Sequence, residues 1–208
     1  MITVSEALDQ LFALTSPLEV EEVPLLAAAG RVLARPVETA LDQPPFAASA
    51  MDGYGVAQAA PDMRIRVIGE AAAGRGFDGS VAEGEAVRIF TGAPIPPGVN
   101  TVIIQEDVRR EGDQITVTDA LGSGDNIRPR GNDFRAGHRI EAPRLLDPQD
   151  IALLASMNIA TVPVTRRPRV ALISTGDELV MPGETPGPDQ IIASNTLGLH
   201  ALLRDLGA

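Results

Sequence analysis

The chain is 208 residues long, carries a net charge of −11 and has no cysteine, two histidines and no lysine, so all 17 basic residues are arginine. Disulfides, thiolate metal sites, iron–sulfur clusters and cysteine nucleophiles are excluded, as are a Walker phosphate loop and a lysine Schiff base. The acidic balance and the 3% aromatic content argue against nucleic-acid binding and base stacking.

A hydrophobic content of 44% supports a packed core in one large domain or two to three small ones. The opening "MITVSEALDQ" lacks the basic and apolar regions of a secretory leader. No apolar run approaches the roughly 18–20 residues of a membrane span. The expectation is a cytoplasmic soluble protein with no nucleic-acid or membrane partner. Residues 1–62 carry a net charge of −7, whereas residues 128–169 carry eight arginines against four acids. That basic zone fits a small anionic ligand, because the planar arginine fork suits phosphate and carboxylate. An ordinary salt-bridged surface is the alternative.

In chain order, "TVSEALDQLFAL" (3–14) is predicted helical, with Thr3 and Glu6 at capping-box spacing and Ala7, Leu8, Leu11, Phe12 and Leu14 on one stripe. "PLLAAAG" (24–30) predicts a short helix entered at Pro24 and stopped at Gly30, and "RVLARPVETAL" turns extended. From about residue 40 to 137, short runs at 63–71, 86–90, 101–108 and 114–119 alternate with glycine and proline, the texture of an all-β module. "DPQDIALLASMNI" (147–159) predicts a helix capped by Asp147 with Pro148 at its first position. "VALIS" (170–174) is a continuous apolar run, expected as a parallel strand buried on both faces with "TGDE" at its C-terminal end. "SNTLGLHALLRDLG" (194–207) predicts a helix capped by Ser194 or Asn195 and stopped at Gly207. One strand and one helix make no parallel sheet, since each parallel neighbour needs a crossover. The expectation is a fragment, or a sheet completed from elsewhere.

Four loops hold an oxygen-bearing side chain in a frame stiffened by glycine or proline: Asp52 in "PPFAASAMDGYGV", Thr91 in "RIFTGAPIPPG", Asp133 in "NIRPRGNDFRAG", and Asp177 with Glu178 in "STGDELV". Each has a plainer reading. Asp52 fills an Asp-Gly turn, Thr91 caps a strand end, Asp133 pairs with Arg130 or Arg135, and Asp177 caps the next segment. The residues by themselves indicate a multi-domain protein with an oxygen- and arginine-rich site for an anionic ligand.

Those four stretches, in that order, closely resemble the molybdopterin molybdenumtransferase family (MoeA type, and the E domain of gephyrin). The resemblance extends from the N-terminal helix to the last residue. It implies molybdenum cofactor biosynthesis: insertion of molybdenum from molybdate into adenylylated molybdopterin, with release of AMP, in a Mg2+-dependent step by an elongated homodimer. The family's functional positions match Asp52, Thr91, Asp133 and Glu178. Arg128 and Arg130 would face the substrate's pyrophosphate, and Asp177 would lie in the substrate-binding loop. The metal ligands are not assigned. Asn132-Asp133 stands where the family more often has Glu-Asp, and Gly55 stands where alanine is common, a change expected only to loosen a turn.

The implied fold is α+β and multi-domain. Residues 19–38 and 138–168 would form a linking domain and 39–137 the β-rich module. Residues 1–18 and 169–208 would begin an incomplete α/β molybdopterin-binding (MogA-like) domain. The family's later "GGxSxGxxD", "KPG" and "GxPGNP" segments do not occur, so the chain is expected to lack parts of the site and to be inactive alone. The alternatives are a non-catalytic molybdopterin-binding module, a gephyrin-like scaffold, and an unrelated phosphate-binding protein that shares these turns.

Overall fold

In the computed structural model, which describes residues 2–118, 122 and 124–208, the chain divides into two compact units. Met1–Val37 with Arg139–Ala208 form one, and Glu38–His138 the other.

The second unit is built on a six-stranded sheet in the order 101–104, 53–56, 85–89, 64–71, 114–117, 108–111. All neighbours are antiparallel except Arg64–Ala71 with Glu85–Ile89, which run parallel with a bulge between Val67 and Gly69. Alternation along each strand feeds two cores, one on either face. Tyr54, Val56, Ile65, Ala86, Ile103, Ile115 and Val117 pack on one side. Ala71, Val81, Val87, Ile89, Ala93, Val99 and Val102 pack on the other. The predicted strands are present. The run at 101–108 is broken by a 3-10 turn at Gln105–Asp107, and Asp119, at the end of the run 114–119, lies outside the described residues.

"MDGYGV" departs from its reading as a loop. Gly53–Val56 is a strand inside the sheet, buried at all four positions. Its glycines are there for space. A Cβ on Gly53 would fall onto the carbonyl oxygen of Ile103 in the neighbouring strand, and a Cβ on Gly55 would stand 3.2 Å from both Val99 methyls. Gly55 therefore belongs to a packed strand, and the expectation of a loosened turn is wrong.

The first unit has a four-stranded antiparallel sheet in the order 20–24, 161–165, 32–33, 144–145. Helix Pro148–Ser156 and the 3-10 turn Leu25–Ala27 pack together beside it. Leu33, Leu146, Leu154, Met157, Val162 and Val164 are buried in this unit. Asp147 caps the helix, accepting from the Asp150 N–H at 2.8 Å, and Asp150 answers with its own side chain. The strands at 20–24 and 161–165 have no signal in the sequence reading, because Glu21, Glu22 and Pro163 break the apolar run.

Helix Val4–Ala13 starts at the expected Thr3–Glu6 capping box. Its apolar stripe is not buried: Leu8, Leu11, Phe12 and Leu14 are all exposed. At 170–174 the expected strand is absent, and Val170 and Ile173 are exposed. An extended run becomes a strand only when a neighbour accepts its ladder, and no described residue does so here. Instead Leu179–Val180 pairs in parallel with Ile191–Ile192, which leads into helix Ser194–Asp205. Ala193 stands at the N-cap position of that helix and no side chain caps it, so neither Ser194 nor Asn195 is the cap. Gly207 follows the helix with φ +91°, as expected of its stop. Among the described residues no helix is long and apolar enough to cross a membrane.

Candidate functional site

Three of the four nominated stretches meet in the second unit. The two-residue strand Ala48–Ser49 pairs with Ile127–Arg128. On its other side Ser49 donates its N–H to the Ala93 carbonyl at 2.9 Å, Gly92 donates to the Ser49 carbonyl at 2.8 Å, and Ile95 donates to the Ala47 carbonyl at 2.9 Å. Ala50 donates to the Asn126 carbonyl at 2.9 Å. Further out, Gly131 donates to the Pro44 carbonyl and Asp133 to the Gln43 carbonyl, at 2.9 and 2.8 Å. Segments 43–52, 90–95 and 126–133 are thus tied into one rim by backbone bonds.

On this rim the Asp52 carboxylate meets Thr91, 39 residues away. Its Oδ1 accepts both the Thr91 N–H and the Thr91 hydroxyl, each at 2.8 Å. Gly92, with φ +81°, makes the turn that follows Thr91. The Asp52 backbone is held too, since the Gln105 N–H donates to its carbonyl at 3.1 Å. The Thr91 amide, then the Thr91 hydroxyl, hold the Asp52 carboxyl below the usual carboxylate range, with a smaller contribution from the charge of Arg88. The result is a fixed, ionised carboxylate whose Oδ2 has no partner among the described residues. Such an oxygen can accept a proton or hydrogen bond, or face a hard cation.

Asp133 pairs with Arg128, at 2.5 Å, and not with Arg130 or Arg135. Arg130 instead donates from Nε to Asp42 at 2.6 Å. Asp42 also accepts the Ala136 N–H at 2.8 Å, and that amide, ahead of Arg130, keeps its carboxyl ionised below the ordinary range. Arg139, Arg144 and Arg166 are paired with Glu141, Asp150 and Glu19, so much of the basic zone is salt-bridged surface. Arg128 and Arg130 remain largely exposed, each contributing one nitrogen to its carboxylate, which leaves guanidinium donors for an anion.

Asp177 and Glu178 belong to the first unit. They form an exposed turn that precedes Leu179–Val180 and does not close a strand at 170–174. Gly176, at φ +144°, lets the chain enter that turn. The Glu178 carbonyl accepts the Ile191 N–H at 2.7 Å. Beside it is an open cavity of about 200 Å³ lined by Ser174, Thr175, Leu179, Ile191 and Ser194 among others.

Arg88 and Gln105 also contact this site, and neither is marked by a motif in the sequence. The available signal was an arginine in the middle of the apolar strand "AVRIF". Among the described residues no group of three or more His, Cys, Asp or Glu side chains is placed to hold a metal ion. Mg2+ often takes only one or two carboxylates and completes its shell with water and substrate phosphate, so a lone carboxylate such as Asp52 fits it.

Residues 2–158 match the family model for the MoeA N-terminal region, domains I and II. The chain is 39% identical to a molybdopterin molybdenumtransferase of Nostoc over 203 residues, covering 94% of this chain and 47% of that protein. It is 36% identical to the molybdopterin molybdenumtransferase of Haemophilus influenzae, covering 99% and 52%. A crystal structure of a molybdopterin biosynthesis MoeA protein from Pyrococcus horikoshii superposes over the whole chain with TM-score 0.88 at 35% identity, using 58% of that structure. The chain spans about half the length of the curated relatives it matches. With these likenesses and the three-segment rim that carries Asp52 and Thr91, the chain belongs to the MoeA family, as its N-terminal region.

Proposed function

We propose that this chain supplies one part of the machinery that inserts molybdenum from molybdate into adenylylated molybdopterin with release of AMP. The observation that carries the reading is the Asp52 carboxylate, fixed by both donors of Thr91 with its second oxygen open, in a chain of the MoeA family. Asp52 would orient the reacting phosphate or the incoming oxyanion through Oδ2. A bound Mg2+ would supply charge neutralisation at the pyrophosphate. Thr91 would keep the carboxylate ionised and immobile. The free guanidinium donors of Arg128 and Arg130 would bind the pyrophosphate, and Asp133 would hold Arg128 in line for it. Glu178, with Asp177, would bind the pterin side of the substrate beside the cavity at Ser174 and Ile191.

We assign residues 19–38 and 138–168 to a linking domain, 39–137 to the β-rich module, and 1–18 with 169–208 to the start of the molybdopterin-binding domain. The protein acts in the cytoplasm as a homodimer in this reading.

The test is molybdate- and Mg2+-dependent AMP release from adenylylated molybdopterin, run on this chain and on a version extended to the length of its relatives. Activity in the extended protein that Asp52→Asn abolishes supports the reading. Near-wild-type release by a folded Asp52→Asn protein sinks it. A second reading, binding without catalysis, is favoured for the 208 residues alone by their covering about half of the relatives. Molybdopterin binding without AMP release identifies it.

A further inference from the structure

Arg88 stands in the strand Glu85–Ile89, directly across from Tyr54 in the ladder. Its guanidinium works in three directions at once. Nη1 donates to the Gly53 carbonyl at 3.0 Å and Nη2 to the Gln105 side-chain oxygen at 2.7 Å. Its flat face lies over Phe90, 4.6 Å from the ring centroid, with the Tyr54 ring centroid at 5.1 Å. Each of these partners adjoins the Asp52–Thr91 pair. Gly53 follows Asp52, Phe90 precedes Thr91, and Gln105 donates its own N–H to the Asp52 carbonyl at 3.1 Å. One side chain therefore ties together the ends of two strands and a 3-10 turn, and these are the three backbones that fix where the carboxylate sits.

We infer that Arg88 is the positioning residue of the Asp52–Thr91 pair, locking Gly53, Gln105 and Phe90 so that the open oxygen of Asp52 is held in one place. The role rests on the reading that this pair serves the reaction. Lysine is not an equivalent. A single ammonium carries charge but has no planar fork, so it cannot hold Gly53 and Gln105 at the present angles while stacking on Phe90. The positive charge of Arg88 also favours the ionised form of Asp52, in line with the positioning role.

The test compares wild type with Arg88→Gln and Arg88→Lys, using isotope-labelled 208-residue chain, and reads the Thr91 amide by NMR. The Thr91 amide resonance is expected to move upfield of its wild-type position in Arg88→Gln, and the amide to exchange with solvent about five- to tenfold faster, the scale of one weakened hydrogen bond. Core amides such as those of Ile65 and Ile115 stay at wild-type positions, which separates lost positioning from lost folding. Arg88→Lys falls between the two. In the version extended to the length of the relatives, kcat for AMP release falls about ten- to a hundredfold in Arg88→Gln while KM changes less than about threefold, as expected when a reacting group is misplaced and binding is kept. A wild-type Thr91 amide in the folded variants overturns the inference. If Arg88→Gln does not fold, Arg88→Lys decides on the same readout. If the extended wild-type protein releases no AMP, the functional reading fails, and the Thr91 amide still decides whether Arg88 positions the pair.

Discussion

Substituting alanine at Gly53 and, separately, at Gly55 tests whether "MDGYGV" is a packed strand. An added Cβ at Gly53 lands on the Ile103 carbonyl oxygen, 2.9 Å from its carbonyl carbon and 3.1 Å from the Ile104 Cα, where ordinary contact begins at 3.4 Å. All three atoms are backbone of the adjacent strand Thr101–Ile104, so no rotamer change relieves them. The strands must part locally, weakening ladder hydrogen bonds worth about 1 kcal/mol each. Overpacking of this kind costs about 1–3 kcal/mol or more, against a gain of about 0.4–1 kcal/mol from the stiffer unfolded chain. A net loss of about 1–3 kcal/mol is expected. At Gly55 the added Cβ meets only the Val99 methyls at 3.2 Å. A side chain can yield a few tenths of an ångström, so Gly55→Ala is expected within about 1 kcal/mol of wild type. The assay is urea unfolding followed by tyrosine fluorescence. Tyr54, the sole tyrosine, lies between the two glycines and is buried, and there is no tryptophan to obscure it. Equal midpoints for Gly53→Ala and wild type would refute the packing argument, and so would a Gly55→Ala loss as large as that of Gly53→Ala.

Thr91→Val removes the hydroxyl and leaves the amide. The Asp52 carboxyl, followed by NMR titration, should then titrate at higher pH than in wild type, but less than if both donors were lost; an unchanged titration would contradict the geometry. Asp150 is buried, bonded to Arg144 and, at its helix start, to Asp147. Because Arg144 is half exposed, Asp150→Asn should destabilise by about 1–3 kcal/mol rather than the full cost of breaking a buried pair, read as a urea midpoint. The Arg144 side chain, ahead of the Asp147 amide, lowers the Asp150 pKa. Its stabilisation is therefore present above the unfolded-state value of about 3.9 and is lost as pH falls through the lower folded value. The acid-side decline in stability should be shallower in Asp150→Asn. Thr3→Ala removes the cap of an exposed helix, so circular dichroism should lose helix while the Tyr54 unfolding midpoint stays within about 0.5 kcal/mol.

The sequence by itself determined what is local. Thr3 with Glu6, and Asp147 with Pro148, mark helix starts because a cap is satisfied within three or four residues. Gly207 marks a helix stop for the same reason, and the β-rich runs at 64–71 and 114–117, bounded by turn residues, declare strands. The four oxygen-bearing stretches are legible in the sequence, in family order, although Gly53–Val56 of "MDGYGV" is a strand and not a loop. What they hold is not. Whether Asp52 fills a turn or grips Thr91, and whether Asp133 takes Arg128 or Arg130, depends on which backbones the sheet brings together across up to about 90 residues of chain. Glycine in "MDGYGV" reads as flexibility in one dimension and as a close approach to Ile103 in three. "VALIS" has the composition of a buried strand, yet composition cannot supply the neighbour that a ladder needs. Only the tertiary structure decides these, because strand pairing, burial and ion-pair choice are properties of residues distant in sequence, whereas caps and periodicities are settled within a turn or two of chain.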